Sequence, residues 1–250
     1  MGRGIEVENL DRVRIIRIRR PPANALDLRL TAELLHAVQR AVADEVGAVV
    51  LTGYGSFFSA GVDLGAIPGY SPAEQREMVS NINHVVQALY ELRMPAVAAL
   101  NGHAIGGGMV LGLCCDYRLA PPSGARLGLT EARAAVPFPA AAMEVVKAEL
   151  SPAAARTHCL VAESGEGVQA LAAGMIDETR ALPTLLARAR ELAEHLASVP
   201  RDSYRRVKEQ LRRATYDRID DIVANGEDPM LDGWLNAETQ AAAAALLKRR

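Results

Sequence analysis

The stretch Pro95 to Asp116 constrains this chain more than any other. An apolar run of strand length, Pro95 to Leu100, reaches an Asn101-Gly102 turn signal and then Gly106-Gly107-Gly108, after which apolar residues continue at helical length. The pattern predicts strand, turn and helix N-terminus. Glycine there lets backbone approach a ligand with no Cβ in the way, and the first turn of a helix carries N–H groups without intrahelical partners. Such a place can hold an anion or a developing oxyanion. The same glycines also suit a tight turn or close helix packing. They do not give the G-x-G-x-x-G spacing, and no Walker-type Gly-Lys-Ser/Thr follows.

Length and charge narrow the classes. The 250 residues suffice to bury a large core, half are hydrophobic, and the formal charge is −2. This gives no bulk case for nucleic-acid or membrane binding. Cys114, Cys115 and Cys159 have no metal-ligand spacing, and His36, His84, His103, His158 and His195 are scattered, so no metal or cofactor is expected. No signal-peptide pattern or membrane-length apolar run is present, which sets a cytoplasmic expectation.

Along the chain, residues 5–10 and 13–18 read as a β-hairpin, and Leu28 to Ala43 as an amphipathic helix. Ala48 to Thr52 reads as a buried parallel strand followed by a glycine-rich yet apolar loop, Gly53 to Leu64. Ser71-Pro72-Ala73-Glu74 is an N-cap, Pro at N1 and Glu at N3, opening a helix to about Leu92. Short strands follow at 117–120 and 126–129. Helices then follow to Leu150, from Ser151-Pro152, between Gly165 and Gly174, over 182–198 and 203–215, and in an Ala-rich tail from Leu231. The alternation is α/β.

Three blocks, Ser59-Ala60-Gly61-Val62-Asp63-Leu64, Asn101 to Gly108, and Cys115-Asp116-Tyr117-Arg118-Leu119-Ala120, resemble the crotonase family of enoyl-CoA hydratases and isomerases. Arg20-Pro21 with Asn24-Ala25-Leu26, and Gly174-Met175-Ile176-Asp177, fit the same family. The resemblance implies a spiral of β-β-α turns, with a core acyl-CoA-binding domain over 1–181 and a helical region over 182–250 that builds homotrimers or hexamers. It implies an acyl-CoA substrate, with the coenzyme part of the substrate rather than a cofactor. It places the thioester-holding N–H groups on Ala60 and Gly107. Substrate contacts fall on Ala25, Leu26, Gly61, Val62, Asp63, Leu64, Val110 and Phe138, and Arg20 and Lys208 are the cations expected to meet the coenzyme A phosphates. Read on their own, Asp63 suits a loop organiser and His103 a packed turn.

Two glutamates serve a hydratase of this family. The first position falls on Val110, which carries no proton, and the second on Glu131, in Gly128-Leu129-Thr130-Glu131. Hydration suits two carboxylates, whereas moving a double bond from C3 to C2 needs one base that takes a C2 proton and returns it to C4. "G-L-T-E-A-R" followed by Val136-Pro137-Phe138-Pro139 is also similar to the Δ3,Δ2-enoyl-CoA isomerase branch. The resemblance therefore implies an isomerase with Glu131 as proton shuttle. Hydration, decarboxylation of another acyl-CoA, and acyl-CoA binding without turnover stay open as alternatives.

Overall fold

The computed structural model describes residues 4–247. In chain order the elements are β1 (Ile5–Leu10), β2 (Val13–Ile18), α1 (Leu28–Ala43), β3 (Ala48–Gly53), β4 (Phe57–Ser59), α2 (Pro72–Tyr90), β5 (Ala96–Ala99), β6 (His103–Ile105), α3 (Gly107–Leu113) and β7 (Tyr117–Ala120). They continue with β8 (Leu127–Gly128), α4 (Glu131–Ala134), α5 (Ala140–Glu149), α6 (Pro152–Ala155), β9 (Ser164–Gly165), α7 (Gly167–Ala172), β10 (Glu178–Thr179), α8 (Leu182–Ala197), α9 (Arg201–Asn225) and α10 (Ala237–Leu247). Strands β1-β2-β3-β5-β7-β10 form one sheet, antiparallel only at the first pair, and β4-β6-β8-β9 form a second. The chain thus runs one strand in the first sheet, one in the second and then a helix, three times over. This is the expected α/β spiral.

Burial explains the first sheet. Every residue of β3 and β5 is buried, as continuous apolar runs in parallel strands require. On one side α1 and α2 pack with Leu30, Leu34, Val38, Met78, Val86 and Leu89 in the main core. On the other, α8 lays Leu185, Ala189 and Ala193 over Val13, Ile15, Val50 and Val97. At α2 the Ser71 hydroxyl accepts from the Glu74 N–H while the Glu74 carboxylate accepts from the Ser71 N–H, the reciprocal cap that the sequence predicts.

The second sheet differs from expectation. Strand β4 lies inside the stretch read as a loop, and β6 stands between the Asn-Gly signal and the glycines, so β5 does not turn directly into α3. A three-residue strand is too short to leave a period. The crossing between sheets depends on close backbone approach: a Cβ on Gly102 would lie 2.1 Å from the Ser56 carbonyl oxygen. Asn101 cross-links this turn to the loop after β3, accepting from the Gly53 N–H at 2.7 Å and donating to the Gly55 carbonyl at 3.0 Å.

The helices after residue 182 share the core of the rest. Helix α9 packs on α5 and α2, and Tyr216, Ile219 and Trp234 belong to the main apolar cluster. It also closes a buried ionic network. Asp116 pairs with Lys208 at 2.7 Å and Arg212 at 3.1 Å, while Glu149 pairs with Arg212 at 3.1 Å and Arg118 at 2.9 Å. Tyr204 donates to Asp116 and Tyr90 to Glu149, each at 2.9 Å. No helix of the described residues is long and apolar enough to cross a membrane.

Candidate active site

Three loops at the ends of parallel strands converge on one cavity of about 220 Å³. The first follows β4. Its Ala60 N–H donates to the Ala23 carbonyl at 3.0 Å, so this donor is already occupied. The sequence-based placement of a carbonyl-holding N–H on Ala60 is corrected by that bond. Two residues on, Leu26 and Val62 face each other in a parallel bridge, with the Leu26 N–H on the Gly61 carbonyl and the Asp63 N–H on the Leu26 carbonyl, both at 2.8 Å. Parallel pairing sends the intervening Val62 N–H the other way. Among the described residues it donates to nothing.

The second loop follows β6. Gly107 opens α3, and its N–H has no intrahelical acceptor. Gly61, at φ +75°, makes the approach possible: a Cβ there would lie 2.6 Å from the Ile105 carbonyl oxygen and 2.9 Å from the Gly107 nitrogen. A Cβ on Gly107 would in turn fall 4.0 Å from the Val62 nitrogen. The two open donors are Val62 and Gly107, not Ala60 and Gly107.

The third loop follows β8 and carries Glu131 as the first residue of α4. Its carboxylate lies over the bare Cα of Gly106, where a Cβ would meet Oε1 at 3.3 Å. Glu131 is 9% exposed, and its Oε2 has no hydrogen-bond partner. Burial pushes its carboxyl up to about 8, opposed only by a hydrogen bond from its own backbone N–H. Val110 faces the same cavity and is buried.

The cavity gathers Ala25, Leu26, Ala60, Gly61, Val62, Asp63, Leu64, Gly107, Val110, Glu131 and Phe138. It does not gather the two cations. Lys208 is buried against Asp116 in the network under α9, and burial lowers its affinity for a proton, so it is no free charge for a phosphate. Arg20 lies nearby, but its guanidinium is engaged by Asp27 at 2.9 Å and Asp63 at 2.8 Å. His103 accepts from the Arg126 N–H at 2.9 Å and packs on Phe57, as a turn residue.

Sequence reasoning missed most of the apolar wall. Leu34, Ile82, Val85, Val86 and Leu111 line the cavity, yet helical periodicity cannot separate a cavity wall from a core face. Trp234 and Leu246 also line it, brought back by the C-terminal segment. The Trp234 indole donates to the Pro137 carbonyl at 2.8 Å and the Thr239 hydroxyl to the Ala135 carbonyl at 2.6 Å, holding the loop that bears Phe138. The only tryptophan of the chain, in a polar and Ala-rich tail, was the available signal. Trp234→Phe keeps most of the bulk and removes the donor. It is expected to cost about 1 kcal/mol in urea denaturation.

Comparison with known proteins follows the same lines. Residues 8–239 match the family model for enoyl-CoA hydratase/isomerase. The mouse mitochondrial enoyl-CoA delta isomerase 1 is 28% identical over 218 residues, 86% of this chain and 75% of that protein. A putative enoyl-CoA hydratase of Thermus thermophilus is 34% identical over 193 residues, 75% of each chain. The solved human mitochondrial delta3-delta2-enoyl-CoA isomerase superposes with a TM-score of 0.90, covering 98% of this chain and 97% of that one at 23% identity, a likeness of fold. With the family model matching residues 8–239, nearly the whole described length, the chain belongs to the enoyl-CoA hydratase/isomerase family, the crotonases.

Proposed function

We propose that the protein moves a double bond from C3 to C2 of a 3-enoyl-CoA, with Glu131 as its one proton carrier. The observation that carries this reading is a buried carboxylate, its Oε2 without a hydrogen-bond partner, facing a cavity whose other candidate position for a carboxylate is Val110. The ionised Glu131 removes a proton from C2. The electron pair of the C2–H bond moves into C1–C2 and onto the thioester oxygen, giving a dienolate conjugated with the C3–C4 double bond, whose oxygen charge the Val62 and Gly107 N–H groups meet. The carboxylic acid then returns the proton at C4, leaving the C2–C3 double bond and a regenerated base. A carboxyl near neutral pKa suits both halves of that transfer.

The cavity wall favours a hydrocarbon acyl group. Its lining beyond Thr31, Asp63, Thr130 and Glu131 is apolar side chain and glycine, and the Thr31 hydroxyl donates to the Asp27 and Leu28 carbonyls at 2.9 and 3.0 Å. A distal hydroxyl or carboxyl would lose its water there without a partner. The apolar side chains around Glu131 disfavour the water that would divert the enzyme to hydration. A homotrimer accounts for Val207 and Leu211 on α9, which are 62% and 82% exposed. Light scattering should report a trimer or its multiple, and Leu211→Asp a smaller species.

Incubation of the purified protein with a 3-enoyl-CoA, followed by absorbance of the conjugated thioester and by chromatography, tests the reaction. Conversion with little 3-hydroxyacyl product is expected. Predominant hydration of a 2-enoyl-CoA would reject the isomerase reading.

A further inference from the structure

The bridge between Leu26 and Val62 is followed on both strands by an aspartate, Asp27 and Asp63. In-register residues of parallel strands project to the same side, which brings two carboxylates together. One oxygen of each is held by nearby backbone. Asp27 Oδ1 accepts from the Leu30 N–H at 2.7 Å, capping α1, and Asp63 Oδ1 accepts from the Gly65 N–H at 3.0 Å. The other oxygens both meet Arg20. Its Nη2 lies 2.9 Å from Asp27 and its Nη1 2.8 Å from Asp63, with Nη1 also donating to the Ala25 carbonyl at 3.0 Å. The Arg20 backbone N–H is held in turn by the side chain of the buried Asn24, at 2.9 Å.

A planar guanidinium can span two anions in fixed geometry as an ammonium cannot. It is also outnumbered here, one positive charge against two carboxylates, so a phosphate approaching Arg20 meets a net negative group. We propose that Arg20 is a positioning residue: it ties the start of α1 to the loop 59–65 and so holds the Val62 N–H at the distance a thioester oxygen needs. The proposal rests on the assignment of Val62 as a carbonyl donor. Without Arg20 the two aspartates repel each other across the bridge, and the loop is held by the backbone hydrogen bonds Ala60 to Ala23, Leu26 to Gly61 and Asp63 to Leu26 and by the Ser59 hydroxyl on the Asn24 carbonyl. A donor displaced by about 1 Å can lose on the order of 10²-fold in rate.

Arg20→Gln is the test, read on 3-enoyl-CoA and on the corresponding 3-enoyl-pantetheine thioester, which lacks the nucleotide phosphates. A loss of kcat of roughly 10–10²-fold is expected on both, with KM little changed. Arg20→Gln combined with Asp63→Asn, which removes the repulsion, should recover part of the loss. The red shift of bound cinnamoyl-CoA, which reads carbonyl polarisation without turnover, should shrink in Arg20→Gln, and amide exchange at 60–65 should quicken in the free protein. A defect confined to the coenzyme A substrate and to KM would make Arg20 a phosphate ligand and overturn the proposal. So would unchanged exchange at 60–65. A wild-type protein that neither converts 3-enoyl-CoA nor shifts cinnamoyl-CoA would instead reject the proposed function, and the exchange comparison would still decide the role of Arg20.

Discussion

Glu131→Gln is expected to lower kcat on a 3-enoyl-CoA by about 10²–10⁴-fold, the range of a lost acid–base group, while substrate still binds. Glutamine keeps the shape and the acceptor but cannot take the C2 proton. A variant retaining near wild-type rate would remove Glu131 from the reaction. The wild-type kcat/KM should rise with pH and level off above about 8, the value to which burial pushes the free carboxyl. Stability moves the opposite way. The folded protein holds the proton more tightly than the unfolded chain, whose glutamate titrates near 4.5, so the favourable contribution is complete below 4.5 and is lost as pH climbs through 8. Melting curves of wild type and Glu131→Gln should therefore separate between pH 5 and pH 9, with the variant the more stable at the alkaline end. Parallel curves would show that the carboxylate is solvated.

Asp116→Asn is expected to cost about 3–5 kcal/mol, because it leaves Lys208 and Arg212 buried with one anion fewer. Asp116 also accepts from the Ala96 N–H at 2.9 Å and from Tyr204, so the substitution disturbs the start of β5 as well as α9. For a chain of this size the melting temperature should fall by roughly 6–20 °C. None of these groups lines the cavity, so kcat per folded molecule should stay close to wild type at low temperature. A loss under about 1 kcal/mol would mean that the network is nearly replaceable by neutral groups.

The first sheet was legible because its strands are continuous apolar runs and its helices carry a clear face and caps: Leu28 to Ala43 begins and ends where the residues predict. The second sheet was not, since β4, β6 and β8 are three residues or fewer and rest on backbone contacts at Gly102 and Gly61 that side-chain patterns do not encode. Glu131, Val110 and Gly107, which the family resemblance singled out, line one cavity. The donor on Val62 was not, because which N–H stays open depends on the bridge to Leu26. Lys208 was misread for a similar reason: a lysine on a polar helix looks solvated until Asp116, far away in sequence, is placed beside it.

That separation in sequence has a consequence in time. Asp116 and Lys208 are 92 residues apart, and at ~5–20 residues per second a ribosome needs roughly 5–18 s to make the second after the first. Through that interval Asp116, just before β7, lacks the Lys208 and Arg212 cations that α9 later brings. The strands around the cavity can pair early, but Asp116 meets Lys208 and Arg212 only after α9 has been made. Balancing the buried Asp116 thereby waits on a helix begun 85 residues downstream of it, at Arg201.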